Sequence, residues 1–265
     1  MFSVVIPAYN CQETIEMTLD SVRQQTRLDL IQEIIIINDG SSDGSEAVLK
    51  AYMSRYPTLP IQYHHQSNHG VSYTRNKAIK MAKADWIALL DSDDLWMPQK
   101  LERQYDVIQK TPAMFFLGSS FPLKILWRPR QGLCKLTARD LCWRNMPSTP
   151  SIVFKKDVGI ELGLFNEGMK HCEDINFFQR FLLKDSYYVL AEDLVQIGIG
   201  KSYHGMSGLS SNLDGMHKGR HQNVKDLYEM GLISKPFMYL TFAMNSLKLI
   251  RRKTLRHLAR LRQGG

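Results

Sequence analysis

The first 90 residues alternate between short strand-like runs and longer segments with helical periodicity. The strand-like runs are bounded by turn-forming or acidic residues and lie at 2–7, 33–38, 61–65 and 86–90. Runs of this length, mostly β-branched or apolar, are typical of buried strands. The segments between them place apolar residues on one helical face and lie at 12–25, 44–55 and 71–83. The order of elements is therefore β-α-β-α-β-α-β.

Short connections between alternating strands and helices predict an α/β fold with a Rossmann-like, doubly wound, mostly parallel sheet. Ligands of such sheets bind outside the carboxyl ends of the strands. In this sequence the polar and conformationally unusual residues collect at those ends, in the stretches Pro7-Ala8-Tyr9-Asn10, Asn38-Asp39-Gly40 and Asp91-Ser92-Asp93. A binding site at this edge of the sheet is expected.

The strand at 86–90 ends in three carboxylates, Asp91, Asp93 and Asp94. Charges at the mouth of a buried strand are unfavourable unless they are paired, hydrogen-bonded or bound to a cation. Carboxylate oxygens suit Mg²⁺ or Mn²⁺, which usually bind through one or two carboxylates and the phosphates of a substrate. The alternative is that Asp93 or Asp94 only caps the helix that begins near Pro98.

The net charge of +8 is concentrated at the C-terminus. Residues 248–262 hold seven Lys and Arg residues and no acid, and the remaining chain is near +1. Helical spacing of Phe237, Leu240, Thr241, Met244, Leu247 and Ile250 makes 235–262 a basic amphipathic helix. Such a helix favours an anionic membrane surface. A nucleic-acid partner is not expected, because no DNA- or RNA-binding module precedes it; a helix that packs back on the domain is the other alternative.

Several protein classes are not supported by the sequence. It contains neither GxGxxG nor GxxxxGK[ST], which argues against a dinucleotide-binding fold and a P-loop NTPase. The sequence contains no run of about 18 apolar residues, which is the length that would indicate a membrane span. The N-terminus lacks the basic leader of a signal peptide. The four cysteines have no zinc-site spacing, so we expect reduced thiols in a cytoplasmic protein.

Four stretches taken together resemble the family 2 glycosyltransferases, which have the GT-A fold. The stretches are Val4–Asn10, Ile36–Asp43, Asn68–Gly70 with Thr74–Asn76, and Leu90–Asp94. The resemblance covers about the first 100 residues in order. It is looser in the second half, where Ser151–Phe154, Gly163–Glu167, the Glu173-Asp174 pair and Arg180 resemble the acceptor-side segment of the family.

The resemblance implies inverting transfer of a sugar from a nucleotide diphosphate donor, usually a UDP-sugar, with Mn²⁺ or Mg²⁺. On the donor side it implies that Pro7, Tyr9 and Glu13 line the nucleotide pocket. Asp39 would contact the base or ribose, and Arg75 would lie near the base and diphosphate. Asp91 and Ser92 would contact the donor, with Asp91 orienting the sugar or ribose. Asp93 would bind the metal.

On the acceptor side the resemblance implies that Asp174 is the general base and that Glu173 and Arg180 lie near the acceptor. Arg180 would pair with a site carboxylate or face solvent. His204 resembles a residue near the diphosphate and is a candidate metal ligand or phosphate contact. From the residues alone, Glu173 and Asp174 are also explained as acids that favour the first turn of a helix, because they interact with its macrodipole.

We therefore expect a glycosyltransferase domain at 1–212, with a nucleotide-sugar half (1–110) and an acceptor half (111–212), followed by a basic helical tail at 213–265. Its acceptor would be a glycan or a lipid-linked glycan in cell-surface polysaccharide or lipopolysaccharide synthesis, and the enzyme would sit on the inner face of the plasma membrane. Two alternatives remain. A sugar nucleotidyltransferase needs a Gly-rich, basic first loop, which is absent. A non-catalytic basic module leaves the carboxylates unexplained.

Overall fold

The computed structural model describes residues 1–120, 124–125, 128–129, 131–143, 147–199 and 212–263. Its centre is an eight-stranded sheet with the order β3-β2-β1-β4-β10-β6-β11-β9. The strands of this sheet are β1 (Phe2–Ala8), β2 (Ile31–Asp39), β3 (Ile61–Gln66), β4 (Trp86–Leu89), β6 (Phe116–Ser119), β9 (Leu133–Lys135), β10 (Val153–Lys155) and β11 (Tyr188–Leu190).

The first half of the sheet is parallel, as predicted. Strand β1 pairs in parallel with β2 and with β4, and β2 pairs in parallel with β3. The connecting helices are α1 (Ile15–Arg23), α2 (Ser45–Arg55) and α3 (Val71–Met81). Each is shorter than the predicted segment: α1 at both ends, α2 at its start and α3 at its end. Because these strands are parallel, the three strand ends that carry the candidate site lie at one edge of the sheet.

The second half of the sheet is mixed. Strand β10 is antiparallel to both β4 and β6, whereas β6 and β11 are parallel and β9 is antiparallel to β11. The helices of this half are α4 (Lys100–Gln109), α5 (Ala138–Trp143), α6 (Lys156–Glu161) and α7 (Glu173–Gln179), which continues into a 3-10 helix at Arg180–Lys184. Two further antiparallel pairs form separate two-stranded sheets: β5 (Leu95–Trp96) with β12 (Val195–Gln196), and β7 (Lys124–Ile125) with β8 (Arg128–Pro129).

Helices cover both faces of the sheet, which is the doubly wound arrangement expected. One core packs α1, α2 and α4 against the sheet through residues such as Val4, Ile36, Leu49 and Leu101. The opposite core packs α3 and α7 through Val5, Ile79 and the aromatic residues Phe116, Phe154, Phe177, Phe178 and Phe181. Alternate residues of β1 enter opposite cores, as the two-residue period of a strand requires.

The chain ends in two helices, α8 (Leu213–Glu229) and α9 (Lys235–Gln263). They pack together and against α5 through a third cluster that contains Ala138, Val224, Leu227 and Met238. In the described part of the chain, no helix combines the length and the apolarity that crossing a membrane requires. All four cysteines are free thiols.

Candidate functional site

An open cavity of about 440 Å³ lies at the carboxyl ends of β1 and β4. Its walls come from the loop after β1, from the start of α1, and from the acidic loop after β4. The cavity contains four of the predicted donor-side and metal residues, Tyr9, Glu13, Ser92 and Asp93. Its other lining residues are Asn10, Cys11, Gln12, Thr14, Asp43 and Ile199.

Hydrogen bonds from α1 hold the acidic loop in place. The hydroxyl of Thr14 donates to the carbonyl of Ser92 at 2.8 Å, and that of Thr18 donates to the same carbonyl at 3.1 Å. The loop after β1 is tied to the start of α2, because the N–H of Cys11 donates to Ser45 Oγ at 2.7 Å. The cavity is thus bounded by backbone segments that are fixed before any ligand binds.

Asp93 and Asp94 have different surroundings. Asp94 is buried, and its Oδ1 accepts the N–H of Gly198 at 2.6 Å. The carbonyl of Asp93 accepts the N–H of Ile199 at 2.9 Å, while its side chain lines the cavity. Neither aspartate caps α4, whose N-cap residue is Gln99, so the helix-capping alternative is not observed.

The donor set suits a divalent cation that binds together with phosphate. Within the described ranges, no three His, Cys, Asp or Glu side chains are close enough to form a metal cage. Asp93 offers one carboxylate to an open polar cavity. Mg²⁺ and Mn²⁺ use such sites, because they keep water ligands and take further oxygens from substrate phosphates. The other candidate ligand, His204, lies outside the described residues.

A second group of predicted residues is assembled around Arg75, beside α7. Arg75 is almost fully buried, and its Nη2 donates to Asp91 Oδ1 at 2.6 Å. Its Nη1 donates to Glu173 Oε1 at 3.3 Å, and Phe165 lies 5.2 Å below the guanidinium carbon. The Nε of Arg75 is buried without a hydrogen-bond partner. The arginine therefore connects the acidic loop after β4 to the acidic pair on α7.

Both carboxyl groups of the acidic pair have raised pKa values. Burial, the nearby charge of Asp174 and that of Asp91 raise the pKa of Glu173 to about 7, against the opposing effect of Arg75. Burial also raises the pKa of Asp174, while the N–H of Ile175 and the charge of Arg75 act in the other direction. Raised carboxyl pKa values make these groups stronger bases, which is the property that proton abstraction requires.

Asp39, the last residue of β2, belongs to neither group. Its carboxylate accepts hydrogen bonds from Gln66 Nε2 at 2.7 Å and from the backbone N–H groups of His69 and Gly70 at 2.9 and 2.8 Å. Burial alone would raise the pKa of Asp39, but these hydrogen bonds outweigh it and the pKa lies below its ordinary value. Asp39 thus organises the turn at 67–70.

The structure corrects the expectation for Arg180. Its guanidinium neither pairs with a site carboxylate nor faces solvent. It donates to the main-chain carbonyls of Leu162, Leu164 and Asn176 and so closes the loop after α6. Burial lowers the pKa of Arg180. The buried carbonyl oxygens take the place of the expected carboxylate.

Pro7 lies within β1, where it pairs with Ile37 and does not line the cavity.

Sequence reasoning missed the residues that shape the cavity through their hydrogen bonds. Thr14, the N-cap residue of α1, and Thr18 stand four residues apart, so a helix beginning near Thr14 places their hydroxyls on one face, which was an available signal. Asp43 is another such residue. It accepts the N–H of Ser45 and that of Gln12, and it also lines the cavity. Ile199 reaches the cavity only because the β5–β12 pairing brings it there, and no local pattern indicates this.

Comparison with known proteins shows which family the chain belongs to. Residues 3–136 match the family model described as glycosyl transferase family 2. An uncharacterised glycosyltransferase of Haemophilus influenzae is 27% identical over 194 residues, which are 71% of this chain and 64% of that protein.

The UDP-Glc:alpha-D-GlcNAc-diphosphoundecaprenol beta-1,3-glucosyltransferase WfgD of Escherichia coli is 35% identical over 120 residues, 45% of each chain. The chain therefore spans about half to two thirds of the length of these relatives.

A solved structure shows the same fold. Residues 1–349 of TarS from S. aureus, in complex with UDP-GlcNAc, align with a TM-score of 0.69 and 18% sequence identity. The alignment covers 92% of this chain and 71% of that one. The coverage includes the mixed half of the sheet, so the predicted GT-A fold is confirmed for the chain as a whole.

Proposed function

The chain belongs to glycosyl transferase family 2, and on that premise we propose that it is an inverting glycosyltransferase that uses a UDP-sugar donor and a divalent cation. The relative WfgD supports this assignment, since its name describes a UDP-glucose donor and a lipid-linked acceptor. TarS supports it because it was crystallised with UDP-GlcNAc. The proposed acceptor is a hydroxyl of a cell-surface glycan or of its lipid-linked precursor.

The observation that carries the proposal is the separation of two carboxylate groups. Asp93 lines the cavity, whereas Glu173 and Asp174 lie on the other side of the Asp91–Arg75 ion pair. Inversion by one displacement needs a base on the acceptor side and charge neutralisation on the leaving-group side. A single carboxylate group cannot act on both the acceptor hydroxyl and the leaving diphosphate, and this site supplies two separate groups.

Asp174 is the proposed general base. The acceptor hydroxyl oxygen forms a bond to the anomeric carbon as the bond from that carbon to the diphosphate breaks. The hydroxyl proton passes to an oxygen of Asp174, and the electron pair of the broken bond remains on the diphosphate. The raised pKa of Asp174 suits this role, because proton abstraction is most efficient when the pKa of the base approaches the working pH. Glu173 would then lie beside the acceptor and keep Arg75 in place.

On the donor side, Tyr9 and Glu13 would contact the nucleotide, and Ser92 would lie against the diphosphate. Asp93 would hold the cation, which when bound neutralises charge on the departing diphosphate. Pro7 shapes the start of the loop after β1, Asp39 would contact the base or ribose, and Asp91 would orient the sugar. Arg75 would act through Asp91, since its guanidinium is already occupied by carboxylates.

The exposed face of α9 supports attachment to an anionic membrane surface. The predicted apolar stripe is divided in the structure, because its residue Thr241 is buried against the rest of the protein, as is the neighbouring Met238. The outer part, with Leu240, Leu247 and Ile250, is more than half exposed. Arg251 and Arg252 follow directly, so apolar and basic side chains share the outer surface of the helix. We propose that this surface holds the enzyme peripherally at the inner face of the plasma membrane, near a lipid-linked acceptor.

Thermal melting against UDP, GDP, dTDP and CDP, each with and without Mn²⁺, tests the donor site. A ligand at about 100 times its dissociation constant adds roughly 2.7 kcal/mol to the free energy of unfolding. For a chain of this size that raises the melting temperature by about 5–10 °C. We expect a Mn²⁺-dependent shift with UDP that is lost in Asp93→Ala.

Asp85→Ala is the matched control, because Asp85 is exposed at the opposite end of β4. It should leave the shift unchanged. The absence of a shift with every nucleotide would overturn the proposal, and a shift of equal size in Asp93→Ala would remove the metal role of Asp93. A larger shift with another nucleotide would replace UDP and leave the reaction class intact.

A further inference from the structure

The acidic pair on α7 follows a residue in a disfavoured backbone conformation. Cys172 has φ +58° and ψ +28°, which is the left-handed region. Residues with a side chain rarely adopt this conformation, and they keep it only where the surrounding structure holds it. Glu173 comes next in the chain, so the conformation of Cys172 sets the direction in which α7 begins.

The contacts that hold this segment come from α8. The side-chain Nδ2 of Asn223 donates to the carbonyl of Cys172 at 3.0 Å. The Oδ1 of the same side chain accepts a hydrogen bond from Asn176 Nδ2, also at 3.0 Å. Asn223 therefore joins the residue before the acidic pair to a residue one turn beyond it. Only 2% of Asn223 is exposed, and Asp226 also binds Asn176, at 2.6 Å.

Two glycines let α8 approach this closely. A Cβ at Gly219 would stand 2.3 Å from the carbonyl oxygen of His171, and a Cβ at Gly215 would stand 2.4 Å from the His171 ring. Carbon and oxygen atoms that are not bonded do not approach so closely, so any side chain at Gly219 would displace the segment or the helix. The helix surface at 215–223 and the chain at 171–176 are thus fitted to each other.

We infer that α8 positions the Glu173–Asp174 pair, and that Asn223 is the positioning residue. This rests on the proposed function, in which the pair faces the acceptor. It extends that function to a helix outside residues 3–136, the range of the family match. Within the described residues, Asn223 forms hydrogen bonds with Cys172, Asn176 and Gln179, none of which lines the cavity, so we expect Asn223 to act on the reaction through the acidic pair.

The physical reason is geometric. A displacement of about 1 Å in a catalytic group lowers the reaction rate on the order of 100-fold. Without the Asn223 amide, the carbonyl of Cys172 keeps only the N–H of Asn176 as a donor, at 3.0 Å, and the segment at 171–176 loses its side-chain link to α8. The donor cavity, whose walls come from the loop after β1, the start of α1 and the loop after β4, contains none of these residues and should keep its shape.

Turnover provides the first test. Hydrolysis of UDP-glucose, and of UDP-GlcNAc as a second donor, is measured with Mn²⁺ for the wild type, Asn223→Ala, Asn223→Ser and Gly219→Ala. We expect kcat to fall on the order of 10- to 100-fold in Asn223→Ala and Gly219→Ala, with less loss in Asn223→Ser, which keeps a hydrogen-bond donor. The donor KM should stay within about twofold.

Lys225→Ala, which removes an exposed side chain from the same helix, is the control and should resemble the wild type. A kcat within about twofold of the wild type in all Asn223 and Gly219 variants would overturn the inference. If the wild type neither turns over nor binds a UDP-sugar, the proposed function fails instead.

A second test needs no activity. The melting temperature of Glu173→Gln is compared with that of its parent at pH 5 and pH 8, in the wild type and in Asn223→Ala. The increase in melting temperature from parent to Glu173→Gln should be larger at pH 8 than at pH 5, because the buried carboxylate of the parent is charged at pH 8. In Asn223→Ala this extra gain should shrink, because a relaxed first turn lets water reach Glu173. If the extra increase in melting temperature at pH 8 is equal in the wild type and in Asn223→Ala, the inference is overturned. A purely structural effect of Asn223→Ala would lower stability at both pH values alike and leave that extra increase unchanged.

Discussion

Arg75 and Asp91 form a buried ion pair whose atoms Nη2 and Oδ1 are 2.6 Å apart. Only 6% of the arginine side chain and 26% of the aspartate side chain are exposed. The second guanidinium nitrogen pairs with Glu173, which lies 98 residues away in the chain. One cation therefore holds the acidic loop after β4 and the acidic pair of α7 in a fixed relation.

Replacing Arg75 by Met should lower the free energy of unfolding by about 3–5 kcal/mol. The reason is that two carboxylates remain buried without their cation, which is more unfavourable than removing the whole ion pair. Urea denaturation measures the change. Arg103→Met is the control, because Arg103 pairs with Glu192 at the surface and should contribute about 0–1 kcal/mol. Equal losses in the two variants would contradict the central role of Arg75.

Lys100 should make the stability of the protein depend on pH in the alkaline range. Its side chain is fully buried, its Nζ donates to Gln104 Oε1 at 2.7 Å, and burial lowers its pKa well below the ordinary value. Between the folded and unfolded pKa values, the unfolded chain binds more protons, so stability rises as pH increases through this window. The window ends near the unfolded value of about 10.4.

The measurement is urea denaturation of the wild type and Lys100→Met at pH 7, 8.5 and 10. The difference in stability, variant minus wild type, should decrease steadily as pH increases, because only the wild type has the buried amine. Lys50→Met removes an exposed lysine that pairs with Glu46 and should show no such trend. A pH-independent difference for Lys100→Met would show that the amine stays charged in the folded protein.

Gly159→Ala should destabilise the protein although it places a better helix former inside α6. The new Cβ would stand 2.5 and 2.9 Å from two ring carbons of Phe154 and 3.3 Å from the ring of Phe177. Overpacking of this kind costs about 1–3 kcal/mol, whereas the gain in helix propensity is about 1 kcal/mol. We expect a net loss of up to about 2 kcal/mol in thermal or urea unfolding.

Gly168→Ala is the matched control for Gly159→Ala, because its Cβ would meet only Asn166 Oδ1 at 3.4 Å. Its effect should lie within about 0.5 kcal/mol of zero. A stabilised Gly159→Ala protein would mean that the aromatic cluster rearranges to admit a methyl group.

Removing two charges from α9 should weaken membrane attachment and leave donor binding intact. Each Lys or Arg near an anionic surface contributes about 1 kcal/mol, so R251Q/R252Q should bind vesicles on the order of 30-fold more weakly. Sedimentation with phosphatidylglycerol vesicles measures this, with phosphatidylcholine vesicles as the neutral reference.

The matched control for the tail is K80Q/K83Q, which removes two exposed charges from the body of the protein. Binding that is unchanged in R251Q/R252Q, or that is equal on the two kinds of vesicle, would exclude an electrostatic role for α9. The UDP-induced melting shift should be the same in all these variants.

The local pattern of the sequence determined the parallel half of the fold. Strands β1 to β4 and helices α1 to α3 form where apolar periodicity and turn residues predict them, since each element is stabilised by its own short-range preferences and by burial of one face. The same pattern placed Asp93 and Tyr9 at one sheet edge, because carboxyl ends of parallel strands meet there. The Glu173–Asp174 pair was also evident as acids opening a helix.

Only the tertiary structure decided how these groups are connected. Arg75 binds Asp91 and Glu173, Arg180 binds the main-chain carbonyl of Leu164, and Asn223 reaches the residue before the acidic pair. Each of these contacts joins residues 16 to 98 positions apart, so none leaves a periodic trace in the chain. Hydrophobic period and turn chemistry are local properties, whereas the partner of a buried polar group is set by whichever donor or acceptor packing brings within about 3 Å.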